Sequence, residues 1–219
     1  MKLIDRKLKY KGHRVKVYED KLNTPDGETV YYDFVENRNG SGVLLIDDAG
    51  KLLFVKQYRN CINDMDIEIP AGCAEVNDFS DTSPNKISGD DSREDLTKTT
   101  DIRSVNASGY TREDFENPEN PYYLCAVREA EEETGYVPDK LYFVNYIIAA
   151  VGLFSERTAV YIGTDLKKGS LNLDDDEYID VLKLSLDEAL EYIYAGEIND
   201  SKTILSVLAY KDLKERGTL

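Results

Sequence analysis

The sequence predicts an α/β or α+β sandwich in which helices cover a mixed sheet. Short alternating or wholly apolar runs, the pattern of strands, occupy much of residues 14–70. One capped helical pattern lies at 121–134 and two more follow residue 185, with strand-like runs between them. Strands on both sides of an early helix, followed by two late helices, call for a sheet buried on both faces.

In chain order, "RVKVYEDKL" (14–22) and "ETVYYDFVE" (28–36) read as two strands around the Pro25-Asp26-Gly27 turn. "GVLLIDD" and "KLLFVKQY" make a second pair joined at Ala49-Gly50, and "DIEIP" (66–70) is a short strand stopped by a proline. Residues 77–120 are polar, with scattered Ser, Asp, Thr and Asn, and too few large apolar residues to offset their ordering entropy. They read as an inserted surface excursion, at about 79–119. Asn120-Pro121 supplies an N-cap and a first-turn proline, and Gly135 a left-handed stop, so a helix is expected to Thr134. "KLYFVNYIIAA" (140–150), "RTAVYIGTDL" (157–166) and "YIDVLKL" return to strand. Ser185 with Glu188 forms a capping box for a helix to about Ala195, and an amphipathic helix closes the chain over roughly 200–214. The expected organisation is an N-terminal β region at 1–40 and one larger domain at 41–219.

Composition removes several functions. The formal charge of −16 repels nucleic acid, so no nucleic-acid partner is expected. No run of eighteen apolar residues is present and the N-terminus lacks a signal core, which points to a cytoplasmic protein with no membrane partner. Three cysteines, an odd count with no CxxC pair, argue for small core residues rather than disulfides. A single histidine, His13, leaves general-base work to carboxylates. The same charge would repel a phosphorylated substrate unless divalent cations reversed its sign locally.

"CAVREAEEETGYVP" (125–138) is where such cations could sit. At 100° per residue Glu129, Glu132 and Glu133 share one helix face, Arg128 can pair with Glu132, and Glu131 points to solvent. Leu124, Val127 and Ala130 would form the apolar stripe that buries the opposite side. A solvated acidic face is the plain alternative. Against it, three carboxylates on adjacent turns repel by a few tenths of a kcal/mol per pair, and no residue of 129–134 is basic. Hard divalent cations prefer such oxygen donors.

"REAEEETGY" (128–136) resembles the second half of the Nudix box, R-E-U-x-E-E-x-G-U with U apolar, at every fixed position. Gly72 and Asp78 of "IPAGCAEVND" stand where the first half has glycine and glutamate. The stretch from Asp78 to Arg128 is much longer than in the family, which places the polar excursion inside the box, in a loop where added length costs little. "VKQYR" with "EIPAG", "FSERTAVYIG" (154–163) and the C-terminal loop, strand and helix pair are similar to the ADP-ribose pyrophosphatase branch of the Nudix hydrolases.

The resemblance implies a Nudix α/β/α sandwich plus an N-terminal antiparallel sheet that serves a homodimer. It implies hydrolysis of the diphosphate of a nucleoside diphosphate sugar, with ADP-ribose giving AMP and ribose 5-phosphate. The implied metal is Mg²⁺, with Mn²⁺ as the alternative, at two or three ions per site. Its ligands match the Ala71 carbonyl, Glu129, Glu133 and Glu177. Glu132 and Arg128 match the supporting catalytic residues, and Asp175 with Glu177 the late acidic pair that holds metal and base, although "LDDDE" also reads as a plain turn. Arg59 matches a terminal-phosphate ligand, with a surface ion pair as the alternative. Glu68 would lie near the terminal ribose, or simply pair with a lysine. Glu156 is a second candidate base near the substrate, and Tyr32 and Phe34 are candidates for base stacking, since Trp is absent, with a core role for at least one of them as the alternative. One departure bears on substrate. Ala150-Val151-Gly152 stands where the branch carries a proline, which keeps GDP- and UDP-sugars open, and beside them a non-catalytic nucleotide-sugar sensor.

Overall fold

The computed structural model describes residues 1–75, 110–173 and 178–219. Asp78, Asp175 and Glu177 lie outside the described residues.

The chain begins with a three-stranded antiparallel sheet in the order β1 (Lys2–Lys11), β2 (Lys16–Asn23) and β3 (Thr29–Glu36). The first of these is a strand that sequence reading passes over, because its lysines mask the apolar alternation. The second sheet holds β4 (Gly40–Ile46), β5 (Leu52–Arg59), β6 (Asp64–Glu68), β7 (Ala71–Cys73), β8 (Tyr136–Ile147), β9 (Thr158–Lys168) and β10 (Ile179–Leu184). Its path runs β10-β5-β4-β9-β8, with β6 paired to β5 and β7 to β4. Among the described strands of this sheet only β4 with β9 is parallel, so the sheet is mixed, as expected. The two sheets meet where Val35 bridges Phe154 and exchanges backbone bonds with Leu153 and Ser155.

Among the described residues, α1 (Arg112–Glu116) and α2 (Pro121–Thr134) lie between β7 and β8, and α3 (Leu186–Ala195) and α4 (Ser201–Glu215) follow β10. Strand β4 buries residues in both directions. Val43 and Leu45 meet Leu53, Phe115, Tyr122, Ala126, Ala130 and Tyr161 on the α2 side. Leu44 and Ile46 meet Phe54, Ile162, Ala189, Val207 and Tyr210 on the side of α3 and α4. A sheet whose two faces are sealed by helices is the expected α/β/α sandwich.

The helix signals work as chemistry requires. Asn120 accepts from the Tyr122 N–H at 2.9 Å, Pro121 opens α2, and Gly135 ends it at φ 72°. Ser185 and Glu188 form the reciprocal capping box of α3. Three expectations need correction. Residues 110–119 are not a surface excursion: Phe115 is sealed in the core and stacks on Phe143 with centroids 4.4 Å apart. Leu124 is exposed, and α2 packs instead through Tyr122, Cys125, Ala126, Glu129, Ala130 and Glu133. Of the cysteines, all free, only Cys125 is buried.

Candidate active site

The register of β7 against β4 decides what faces α2. Val43 N–H donates to the Pro70 carbonyl and Ala74 N–H to that of Asn39, both at 3.0 Å. Gly42 faces Ala71 and Gly40 faces Cys73 between those bonded pairs. In an antiparallel ladder these are then the non-bonded pairs, whose backbone groups turn away from the partner strand. They turn toward α2. Ala71 N–H donates to Glu133 Oε2 at 3.1 Å, and the Cys73 carbonyl accepts from Arg128 Nη2 at 3.2 Å. The Ala71 carbonyl shares the direction of its N–H and so faces the same side.

Glu129 and Glu133 are 8% and 2% exposed, far from a solvated face. Gly72 explains how Glu129 fits. A Cβ at position 72 would fall where the Glu129 carboxyl group lies, so a larger residue there would move that carboxyl from its present place. Arg128 reaches Glu129 and Glu132 at 2.6 Å each, the second being the expected i,i+4 pair. Burial disfavours the Arg128 charge, but Glu129 and then Glu132 outweigh it and hold the guanidinium firmly protonated. Glu131 is on the solvent side, as sequence reading expects, but it is partly covered by the loop after β9. Its Oε1 accepts from Ser170 N–H at 3.1 Å, while Asn172 N–H donates to the Glu132 carbonyl at 3.0 Å. Cys125, beside Glu129, has its thiol pushed up to about 11 by burial and then by that carboxylate, so it is no nucleophile at neutral pH.

A second cluster abuts this face. Arg59 takes Glu68 through both Nε and Nη2, the latter at 3.0 Å to Oε2. Lys202 Nζ reaches the same Oε2 at 2.5 Å and Asp200 at 3.1 Å. Both plain alternatives for Arg59 and Glu68, an ion pair and a lysine partner, are therefore present. Burial pushes the Glu68 carboxyl up, yet Arg59 and Lys202 together hold it below the usual carboxylate range. Asp66 goes the other way, raised by burial and by Glu68. Glu133 lies near enough to act on the Arg59 charge, which joins the two clusters. Lys202 and Asp200 are members of this cluster that sequence reading misses, 134 residues from Glu68 along the chain in the lysine's case. The Asp-x-Lys-Thr opening of α4 signals a cap but says nothing of its long-range partner.

Other expected residues stand apart. Phe34 and Tyr32 lie on one face of the three-stranded sheet, and the Arg6 guanidinium covers one side of the Phe34 ring at 3.8 Å. Tyr32 is half exposed. Glu156 is bonded by Asn37 Nδ2 at the junction of the two sheets.

Among the described residues, no three His, Cys, Asp or Glu side chains form a closed metal cage. Two buried carboxylates beside a backbone carbonyl still fit an open site. Mg²⁺ is commonly held by one or two carboxylates and completed by substrate phosphates and water.

No family model matches the chain. A methanol dehydrogenase activator of Bacillus methanolicus is 29% identical over 208 residues, covering 94% of this chain and 89% of that protein. An ADP-ribose pyrophosphatase of Bacillus subtilis (strain 168) is 26% identical over 216 residues, covering 98% and 94%. A GDP-mannose pyrophosphatase of Salmonella typhi is 34% identical over 85 residues, or 37% of this chain and 44% of that protein. In fold, the crystal structure of an ADP compounds hydrolase superposes with a TM-score of 0.71 at 15% identity, covering 99% of this chain and 96% of that one.

Proposed function

We infer that the chain is a Nudix hydrolase of the ADP-ribose pyrophosphatase branch, on the motif at 128–136 and the likeness to an ADP-ribose pyrophosphatase, and that it catalyses a Mg²⁺-dependent hydrolysis of the diphosphate of a nucleoside diphosphate sugar. ADP-ribose, yielding AMP and ribose 5-phosphate, is the first substrate to test. The observation that carries this reading is the pair Glu129 and Glu133, buried against a strand whose Gly72 leaves its side-chain space to the Glu129 carboxyl group.

Glu129, Glu133 and the Ala71 carbonyl would hold Mg²⁺ or Mn²⁺, with Glu177 as the further ligand. When bound, the metal polarises phosphoryl oxygens and makes the attacking water a better nucleophile. Arg128 fixes the rotamers of Glu129 and Glu132 by pairing with both. Arg59 offers its outer guanidinium edge to a phosphate. Asp175 or Glu177 would take the proton from water, with Glu156 as the second candidate. In the homodimer that we assign to the N-terminal sheet, Tyr32 and Phe34 of one protomer would be offered to its partner's substrate.

A GDP- or UDP-sugar is the second reading. It is favoured by Ala150-Val151-Gly152, where the branch places a proline, and by the likeness to a GDP-mannose pyrophosphatase. The test is Mg²⁺-dependent cleavage of ADP-ribose, GDP-mannose, UDP-glucose and a nucleoside triphosphate, with products separated by chromatography. ADP-ribose cleaved to AMP supports the first reading, and preference for another sugar moves the substrate while keeping the chemistry. Metal binding with no cleavage would put a nucleotide-sugar sensor first. Glu133→Gln should lower turnover on the order of 100-fold, about 2.7 kcal/mol of barrier, and an unchanged rate would remove Glu133 from the metal site.

A further inference from the structure

The first turn of α4 is bound to the strand segment that carries the site. Ile69 N–H donates to Thr203 Oγ1 at 2.9 Å, and Lys202 Nζ donates to Glu68 Oε2 at 2.5 Å. Asp200 orders that turn from within. It accepts from Thr203 N–H at 2.9 Å and Thr203 Oγ1 at 2.6 Å, and its other oxygen meets Lys202. Two residues beyond Ile69 is Ala71. The turn therefore grips the same stretch that offers its backbone to Glu133.

Side-chain exposure rises outward through this network, from 4% at Glu68 and 16% at Lys202 to 34% at Arg59. Arg59 spends Nε and Nη2 on Glu68, and among the described residues its Nη1 meets no acceptor. A carboxylate gripped from behind by a lysine can hold a guanidinium side-on with one edge left outward. Without the lysine, Glu68 would be free to follow Arg59 into other rotamers. A fork kept in one orientation loses less entropy on meeting a phosphate.

We infer that Lys202 is a positioning residue for phosphate binding, acting on Arg59 through Glu68. This rests on reading Arg59 as a phosphate ligand, and it adds a residue from the far end of the chain to that role. Asp200 belongs to the same device, as the anchor that sets the lysine's direction.

The test uses the full chain and two readouts, calorimetric titration with ADP in the presence of Mg²⁺ and steady-state kinetics on whichever sugar nucleotide is cleaved. Lys202→Met should weaken ADP binding about tenfold and raise KM about tenfold, with kcat within about twofold. Lys202→Arg should recover most of that loss. Lys211→Met, on the same helix but exposed, should match wild type. If Lys202→Met does not fold, Asp200→Asn decides, because asparagine still caps the helix while the lysine loses its anchoring charge. A KM rise of about threefold is then expected. A folded Lys202→Met or Asp200→Asn with wild-type ADP affinity and KM, or with a loss confined to kcat, overturns the inference and leaves the hydrolase reading intact. A wild-type protein that cleaves none of the panel and binds no ADP overturns both.

Discussion

In the seven-stranded sheet, Val43, Leu44, Leu45, Leu53 and Phe54 are sealed from solvent on alternating faces, while in the three-stranded sheet Leu8, Tyr10, Tyr31 and Tyr32 stay roughly half exposed or more. The small sheet is joined instead by charges across its strands. Arg6 pairs with Asp20 through two 2.7 Å bonds, Lys9 with Glu19 at 2.9 Å, and Lys16 with Glu36 at 2.5 Å. Arg6 also lies over Phe34. Apolar burial scales with area and is indifferent to pH, whereas cross-strand charge is directional and titrates. The difference teaches that one sheet specifies the fold and the other is a more adjustable surface.

Substitutions should separate the two. Phe115→Ala opens the core against Phe143 and should cost about 3–5 kcal/mol in urea unfolding. Tyr32→Ala on the small sheet should stay within about 0.5 kcal/mol. A tyrosine variant as damaging as the phenylalanine one would break the contrast. Arg6→Met removes a bidentate, mostly buried pair and a cation–ring contact, for about 1–2 kcal/mol. Hydrogen exchange should show that loss in β1–β3 and leave β4 and β9 protected. Equal loss in both sheets would mean that they open as one unit.

The smallest effect expected is with pH. Burial pushes the Glu36 carboxyl up, but hydrogen bonds from Lys16 and Tyr18 and the Lys16 charge outweigh it and hold it below the ordinary carboxylate range. A carboxylate lowered on folding contributes stability that is complete above its unfolded pKa and disappears as pH falls through the folded one. Protection in β2 and β3 should thus begin to fall below about pH 4.3, ahead of β4 and β9. Glu36→Gln should remove that pH step, and its persistence would exclude Glu36 as the cause.

Much of this was legible in the sequence because it depends on neighbours. Asn120-Pro121 and Gly135 set the ends of α2, and Ser185 with Glu188 starts α3, by bonds that span only a few residues. The charge pattern of 128–133 likewise places Arg128 beside Glu132. What was missed depends on distance. Leu124 is more apolar than Ala126, yet the sheet selects the small residue for its packed face, and turns Glu129 and Glu133 inward with it. Helix α1 has only Phe115 to mark it, although Thr111 and Asp114 do form a capping box. Strand β7 is three residues long, and its identity lies wholly in its pairing with β4. The Lys202–Glu68 bond joins opposite ends of the domain, and no local rule connects them.

Ala74 and Phe115 belong to one buried cluster. A chain that enters that cluster at one point and returns to it at another has its end-to-end span set by the host, whatever is spliced between. Each doubling of such a loop costs only about 0.6 kcal/mol. The interval between Glu75 and Tyr110 is therefore a natural graft point for a guest domain whose termini lie close together. A guest that changes shape on binding its own ligand would pull on α1 at one end and, at the other, on the β7 strand that faces Glu129 and Glu133, turning the scaffold into a reporter.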